Sequence, residues 1–250
     1  MIEIKNISKS FSGRKVINDI SFNFEKGKTN MIIGESGSGK TTLLKCMVGL
    51  NEIDAGEVLY DGRNFYNLDF KGKKEIRKEI GMLFQGGALF DSKTVEENVV
   101  FPLSMFTDMS ESEKCDRANF CLQRVNLIDA NHLFPSELSG GMKKRVAIAR
   151  AIAVQPKYLF CDEPNSGLDP KTSIVIDNLI KEITDEYDIT TIVITHDMNS
   201  VIEIGDNIMF IYKGDNWWQG TKNEILKTDN QEVCDFVYAT KFMKNLKSKF

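Results

Sequence analysis

The sequence predicts an α/β fold in three parts: a mostly parallel sheet covered by helices, an antiparallel β subdomain, and an inserted α-helical subdomain. Three observations carry this. Residues 30–42 read as an apolar strand, a glycine-rich turn and the start of a helix. From residue 156 onward, short continuous apolar runs alternate with helical stretches, which is the pattern of a parallel sheet buried on both faces. Between Gly86 and about Gln155 strand texture gives way to helical periodicity. The division follows as 1–85 with 156–221 for the core and β subdomain, 86–155 for the helical insertion, and 222–250 for a helical C-terminal extension.

Taken in order, residues 2–24 alternate apolar and polar and form two antiparallel strands around a turn at Ser12-Gly13. Phe11 closes the first strand; its ring is either core or a platform for a purine base. Asn30–Ile33 is a short buried strand, and Thr42–Leu50 a helix. Residues 56–62 give a strand ended by Asp61-Gly62, and 70–79 a charged, solvated helix or loop. Residues 80–85 are a buried-type strand ending at Gln85. Helical stretches follow at 94–100, 110–127 and 139–154, with Ser110 and Glu113 spaced as a capping box and with Pro102 and Pro135 as punctuation. Strands 158–163, 190–195 and 207–212 then alternate with helices, the longest at 170–187, begun by Pro170 after Asp169. In the tail, Val233, Phe236, Val237, Met243 and Phe250 share a face, and Lys241, Lys244, Lys247 and Lys249 rim it. That face docks either on its own domain or on a partner.

Hydrophobic residues make up 42 % and charged residues 27 % of the 250, ordinary values for a globular chain. A net charge of −4 argues against a general nucleic-acid surface. No signal peptide is expected, since the start alternates like a strand. No apolar run approaches the roughly 20 residues of a membrane span. The five cysteines are scattered and suggest neither zinc nor disulfides, so they read as reduced thiols of a cytosolic protein. Any membrane role then comes through a partner.

The run Gly34, Glu35, Ser36, Gly37, Ser38, Gly39, Lys40, Thr41, Thr42 fits the phosphate-loop pattern G-x-x-x-x-G-K-[ST]. A triphosphate can be enclosed closely only by backbone N–H groups, and glycines remove the Cβ atoms that would block them. Lys40 brings a positive charge to the outer phosphates, Thr41 a hydroxyl for Mg²⁺, and the following helix its positive end. Asp162 and Glu163 end a buried strand, where open α/β sheets bind ligands. One carboxylate there can serve Mg²⁺ and the other can orient and deprotonate a water. His196 follows the buried run TTIVIT and can donate to a phosphate oxygen. Ser139, Gly140 and Gly141 open a second helix aimed at an anion.

This set resembles the ATP-binding-cassette (ABC) ATPases along nearly the whole chain: GESGSGKT at 34–41, Gln85, LSGGM at 138–142, YLFCDE at 158–163, SGLD at 166–169 and ITHD at 194–197. The resemblance implies a P-loop NTPase core and ATP hydrolysis with Mg²⁺. By it, Phe11 stacks on adenine, Gln85 touches Mg²⁺ and senses a membrane subunit, Asp162 is the Mg²⁺ carboxylate, Glu163 the general base and His196 the γ-phosphate switch. It also implies a head-to-tail dimer, in which the phosphate loop of one copy and Ser139, Gly140 and Gly141 of the other sandwich ATP, with Asp169 at the seam. The usual LSGGQ reads LSGGM here, and the Met142 thioether cannot replace the amide's hydrogen bonds; hydrolysis is expected to survive this.

PSELSGGM at 135–142 and MLFQGGALFD at 82–91 are similar to the Mla/Mkl branch, whose ATPases power lipid transfer between membranes with a permease and an MCE partner. That resemblance implies a peripheral place on the cytoplasmic membrane's inner face. The alternatives it leaves are a soluble ABC ATPase of the iron–sulfur assembly type, or a transport ATPase for another solute.

Overall fold

A computed structural model of the chain describes residues 1–239. In chain order it has strands β1 (Ile2–Phe11), β2 (Arg14–Phe24) and β3 (Thr29–Ile33), helix α1 (Lys40–Met47), strands β4 (Ala55–Tyr60) and β5 (Arg63–Asn64), helix α2 (Phe70–Lys78) and strand β6 (Ile80–Leu83). Helices α3 (Val95–Phe106), α4 (Glu111–Arg124) and α5 (Gly140–Ile152) follow, then β7 (Tyr158–Asp162), α6 (Pro170–Tyr187), β8 (Thr190–Thr195) and α7 (Met198–Ile204). The chain ends its described part with β9 (Asn207–Tyr212), β10 (Asp215–Thr221), α8 (Lys222–Ile225) and α9 (Gln231–Val237). It divides into two compact units, one made of Met1–Lys73 and the chain from Thr190 onward, the other of Lys74–Ile189.

In the first unit, β1 pairs antiparallel with β2 and β4, as the alternation of residues 2–24 requires. Ser12 and Gly13 turn the hairpin at φ 49° and 79°, the geometry whose twist suits paired strands. Strand β3 lies between β8 and β9, parallel to both. Every residue of β3 and of β8 is buried, which suits their apolar runs Met31–Ile33 and Ile192–Ile194. The polar Asn30 inside β3 is fully employed: its Nδ2 donates to the carbonyls of Glu25, Lys28 and Thr191, and its Oδ1 accepts from the Glu25 amide and from Asn207 Nδ2. A buried amide so satisfied fixes the register of the strands it joins.

Strand β10 was not expected from the sequence. Its run DNWWQGT lacks an apolar alternation, because it pairs antiparallel with β9 while alternate residues stay half-exposed. The local signal is the turn, with Lys213 and Gly214 at φ 51° and 89°. Near the C-terminus, Val233 and Val237 are buried and the Phe236 ring stands 5.3 Å from that of Phe210, so this part of the apolar face docks on its own unit. Met243, Phe250 and Lys241, Lys244, Lys247 and Lys249 lie outside the described residues.

In the second unit β6 and β7 run parallel, and α5 packs against β6, α3, α4 and α6. Helix α4 starts at the capping box read from the sequence: the Glu113 amide donates to Ser110 Oγ, and Glu113 Oε2 accepts from the Ser110 amide at 2.7 Å. Thr94 and Glu97 begin α3 in the same way. Pro102, read as punctuation, lies inside α3 instead. Proline removes one ladder bond, but buried Val95, Val99 and Leu103 hold the helix on both sides of it. Helix α1 also starts earlier than the periodicity suggested, at Lys40.

Candidate nucleotide site

Strand β3 delivers Gly34 to the buried end of the sheet, and the chain turns through Gly39 into α1. Gly34 has φ 144°, and a Cβ placed on it would lie 2.2 Å from the Ile211 carbonyl oxygen. Gly39 has φ 111°, and its Cβ would meet the Ile17 side chain at 2.7 Å and the Val16 carbonyl oxygen at 2.9 Å. The loop is thus pressed against β9 and β2, and only glycine fits either position. Gly39 is the N-cap of α1 and offers no side-chain cap, so the first amides of the helix are not covered by their own chain's side chain there.

Lys40 is only 7 % exposed, and its Nζ donates to the carbonyls of Gly34 at 2.9 Å and Glu35 at 2.8 Å. Its charge is therefore held over the loop's own opening. Ser38 is buried as well, and its Oγ has no hydrogen-bond partner. The Thr29, Tyr187 and Thr190 hydroxyls share this, so the glycine backbone and the lysine carry the anion reading and the Ser38 hydroxyl only suits it. A glycine-lined ring of backbone, a desolvated lysine and an unsatisfied hydroxyl together fit an anion with several oxygens, such as a polyphosphate. Thr41 and Thr42 follow, both half-buried.

His196 belongs to the same unit and leaves β8 at the level where the loop leaves β3, since Ile33 pairs with Thr195. It is exposed, and the next residue, Asp197, caps α7 by accepting from the Asn199 amide at 2.9 Å. Phe11 is 45 % exposed, with Lys9 Nζ 5.4 Å from its ring centre. It faces Arg14 across the hairpin whose second strand carries Val16 and Ile17 against Gly39. The ring is therefore not core.

The other candidates sit in the second unit. Leu83 of β6 pairs with Cys161 of β7, so Gln85 and the Asp162–Glu163 pair leave neighbouring strand ends. Asp162 is buried at 6 % exposure, and Glu163 stands at φ 48°, a left-handed conformation uncommon for its type. Such backbone strain is found at functional sites. Ser139 is the N-cap of α5, with its Oγ accepting from the Met142 amide at 3.2 Å. The backbone of Met142, not its thioether, makes this cap. Gly140 and Gly141 approach Leu168 and Thr172, so this tip lies beside the start of α6. Asp169 caps α6, and the Thr172 hydroxyl and amide hold its carboxyl below the usual carboxylate range.

Sequence reasoning missed Lys144. It is buried, with Nζ donating to the Gln85 carbonyl and, at 3.4 Å, to the Glu163 carbonyl. Burial pushes the ammonium's pKa down, against the attraction of Asp162 and Glu163. The signal was present: Lys144, Ile148 and Ala151 fall at helix spacing on the buried face of α5.

Strand, glycine loop and helix in this arrangement, with paired carboxylates at a second strand end, define the chain as a phosphate-loop ATPase. More narrowly, it belongs to the ABC transporter family. Residues 17–166 match the family model described as ABC transporter. Over 214 residues the chain is 43 % identical to the methionine import ATP-binding protein MetN of Clostridium acetobutylicum, covering 86 % of this chain and 67 % of that one. Over 237 residues it is 38 % identical to the intermembrane phospholipid transport system ATP-binding protein MlaF of Haemophilus influenzae, covering 95 % and 90 %. Over 236 residues it is 36 % identical to the probable ribonucleotide transport ATP-binding protein mkl of Mycobacterium leprae, covering 94 % of this chain and 68 % of that one. A dimeric, post-hydrolysis structure of the ATP-binding cassette MJ0796 bound to ADP and Pi superposes with a TM-score of 0.81 at 34 % identity, covering 89 % of this chain and 99 % of that one. The chain is thus an ATP-binding, ATP-hydrolysing subunit of the ABC class. Among the described residues no helix is long and apolar enough to cross a membrane.

Proposed function

We propose that this chain is the ATPase of a lipid transporter, working as a head-to-tail pair on an integral membrane permease with an MCE-type partner. The observation that carries the nucleotide reading is the loop Gly34–Thr42, closed by glycines that tolerate no Cβ and holding a buried lysine and an unsatisfied Ser38 hydroxyl. Glu35, Ser36, Gly37, Ser38 and Gly39 surround the phosphates, Lys40 neutralises the outer ones, and Phe11 stacks on the base. Ser139, Gly140 and Gly141 of a second copy complete the enclosure.

Thr41, Gln85 and Asp162 supply hard oxygen donors, the set that suits Mg²⁺. When bound, Mg²⁺ neutralises charge on the phosphates. Glu163 orients the attacking water and takes its proton, and His196 donates to a terminal phosphate oxygen. Glu163→Gln keeps the shape but removes the base, so it should bind ATP normally while turnover falls about a hundredfold or more. Native turnover in that variant would reject Glu163 as base.

The lipid reading rests on LSGGM and MLFQGGALFD, and the phospholipid-transport relative supports it. The methionine-import relatives favour a second reading, an amino-acid importer. Both place the chain at the inner face of a membrane through its permease. Purifying the chain from detergent-solubilised membranes separates them: phospholipid retained by the complex supports the first, and turnover stimulated by methionine supports the second.

A further inference from the structure

The loop after β6 is held from two sides, by α5 at its start and by α3 at its far end. On α5, Lys144 donates to the Gln85 carbonyl, and Arg150 donates to the carbonyls of Gly87 at 2.6 Å and Ala88 at 2.7 Å. Between them Ala147 lies beneath Gly87, so residues 144, 147 and 150 form one stripe along α5. The far end of the loop is tied by buried Asn98, whose Nδ2 donates to the carbonyls of Phe90, Lys93 and Thr94 and whose Oδ1 accepts from the Phe90 amide. Lys144 also reaches a second strand end, through the Glu163 carbonyl. That carbonyl belongs to the residue at φ 48°, and it also accepts from the Ser166 amide at 3.1 Å.

We propose that Lys144 is a positioning residue for hydrolysis, a buried cation that locks the backbone of Gln85 and the backbone of Glu163 to each other and to the helix headed by Ser139. This rests on the reading of Glu163 as the base. An ammonium suits the task because it has three donors on a flexible stem and can serve two carbonyls from different strand ends at once. It acts through the main chain of Gln85 and Glu163, whose side chains are the ones proposed to meet the nucleotide and the water. A shift of the loop at Gln85 is then passed to the carboxylate of Glu163 and to the tip of α5 together. Arg150 holds the middle of the loop at Gly87 and Ala88.

The test is a pair of substitutions that remove the charge, Lys144→Met and Lys144→Gln, beside Lys144→Arg, in the purified protein with whichever membrane partner it carries. Both neutral variants should bind ATP within about twofold of the parent but lose about tenfold or more in kcat, as expected for losing charged hydrogen bonds that orient a reacting group. The KM for ATP should move little, and Lys144→Arg should restore most of the rate. A residue that only stabilised the fold would lower binding and rate together, and the conservative variant would not separate them. Native kcat in Lys144→Gln, or a loss of ATP binding matching the loss of rate, would overturn the proposal. Should Lys144→Met fail to fold, Lys144→Gln, closer to lysine in shape, decides the matter. Glu163→Gln run alongside distinguishes the failures: if it is slow while Lys144→Gln is native, the base stands and the positioning role falls.

Discussion

The tip of α1 and the tip of α5 both set small residues ahead of a helix, yet they are made in different ways. At α1 the N-cap is Gly39 in a left-handed conformation, with no side-chain cap, and Gly34 and Gly37 also stand at positive φ. At α5 the N-cap is Ser139 in ordinary extended geometry, and its hydroxyl covers the Met142 amide. Gly140 and Gly141 are not at positive φ. Gly141 is small because a Cβ there would come within 2.7 Å of the Thr172 methyl. The first tip is therefore a cradle whose shape is set by its own backbone against β2 and β9. The second is a self-capped helix start, which in the proposed pair would face the anion held by the other copy's loop.

The largest expected effect breaks the cradle. Gly34→Ala places a methyl 2.2 Å from the Ile211 carbonyl oxygen, and backbone cannot move aside as a flexible side chain can. Steric overlap and a disallowed φ together cost on the order of 3 kcal/mol. Nucleotide binding should be lost, and thermal denaturation should report a large fall in stability. If Gly34→Ala bound ATP with native affinity, the close approach of Gly34 to Ile211 would not shape the nucleotide site.

Much of this contrast was legible in the sequence, because a phosphate loop is a local pattern. Gly34 to Thr42 contain their own chemistry, and the strand before them ends in the apolar run Met31–Ile33. The capping box at Ser110 and Glu113 was equally readable, since both partners lie within one turn. What escaped was set by distant contacts. Lys144 falls on the buried face of α5 by its spacing, but the carbonyls it serves stand at the ends of β6 and β7, which come together only in the folded chain. Strand β10 escaped because its partner β9, not its own composition, makes it a strand. Pro102 was misread for the same reason: packing of its helix outweighs one missing bond. The self-capping of α5 was half visible, in Ser139 as a good N-cap type, but the amide it covers, that of Met142, is set by the folded geometry.

The smallest expected effect sharpens the other side of the comparison. Ser139→Ala removes the hydroxyl that accepts from the Met142 amide, at a cost of about 1 kcal/mol. For a chain of this size that corresponds to a fall in Tm of roughly 2–4 °C. The cradle at α1 does not depend on this hydroxyl, so ATP affinity of the isolated chain should stay native. Turnover in the assembled complex should fall more than stability does, because the same hydroxyl is proposed to reach the nucleotide held by the partner copy. Equal loss of ATP affinity in the isolated chain and in the complex would contradict this. It would mean that the tip of α5 serves the loop of its own molecule, and the difference between the two helix starts would then lie in geometry and not in which copy supplies the anion.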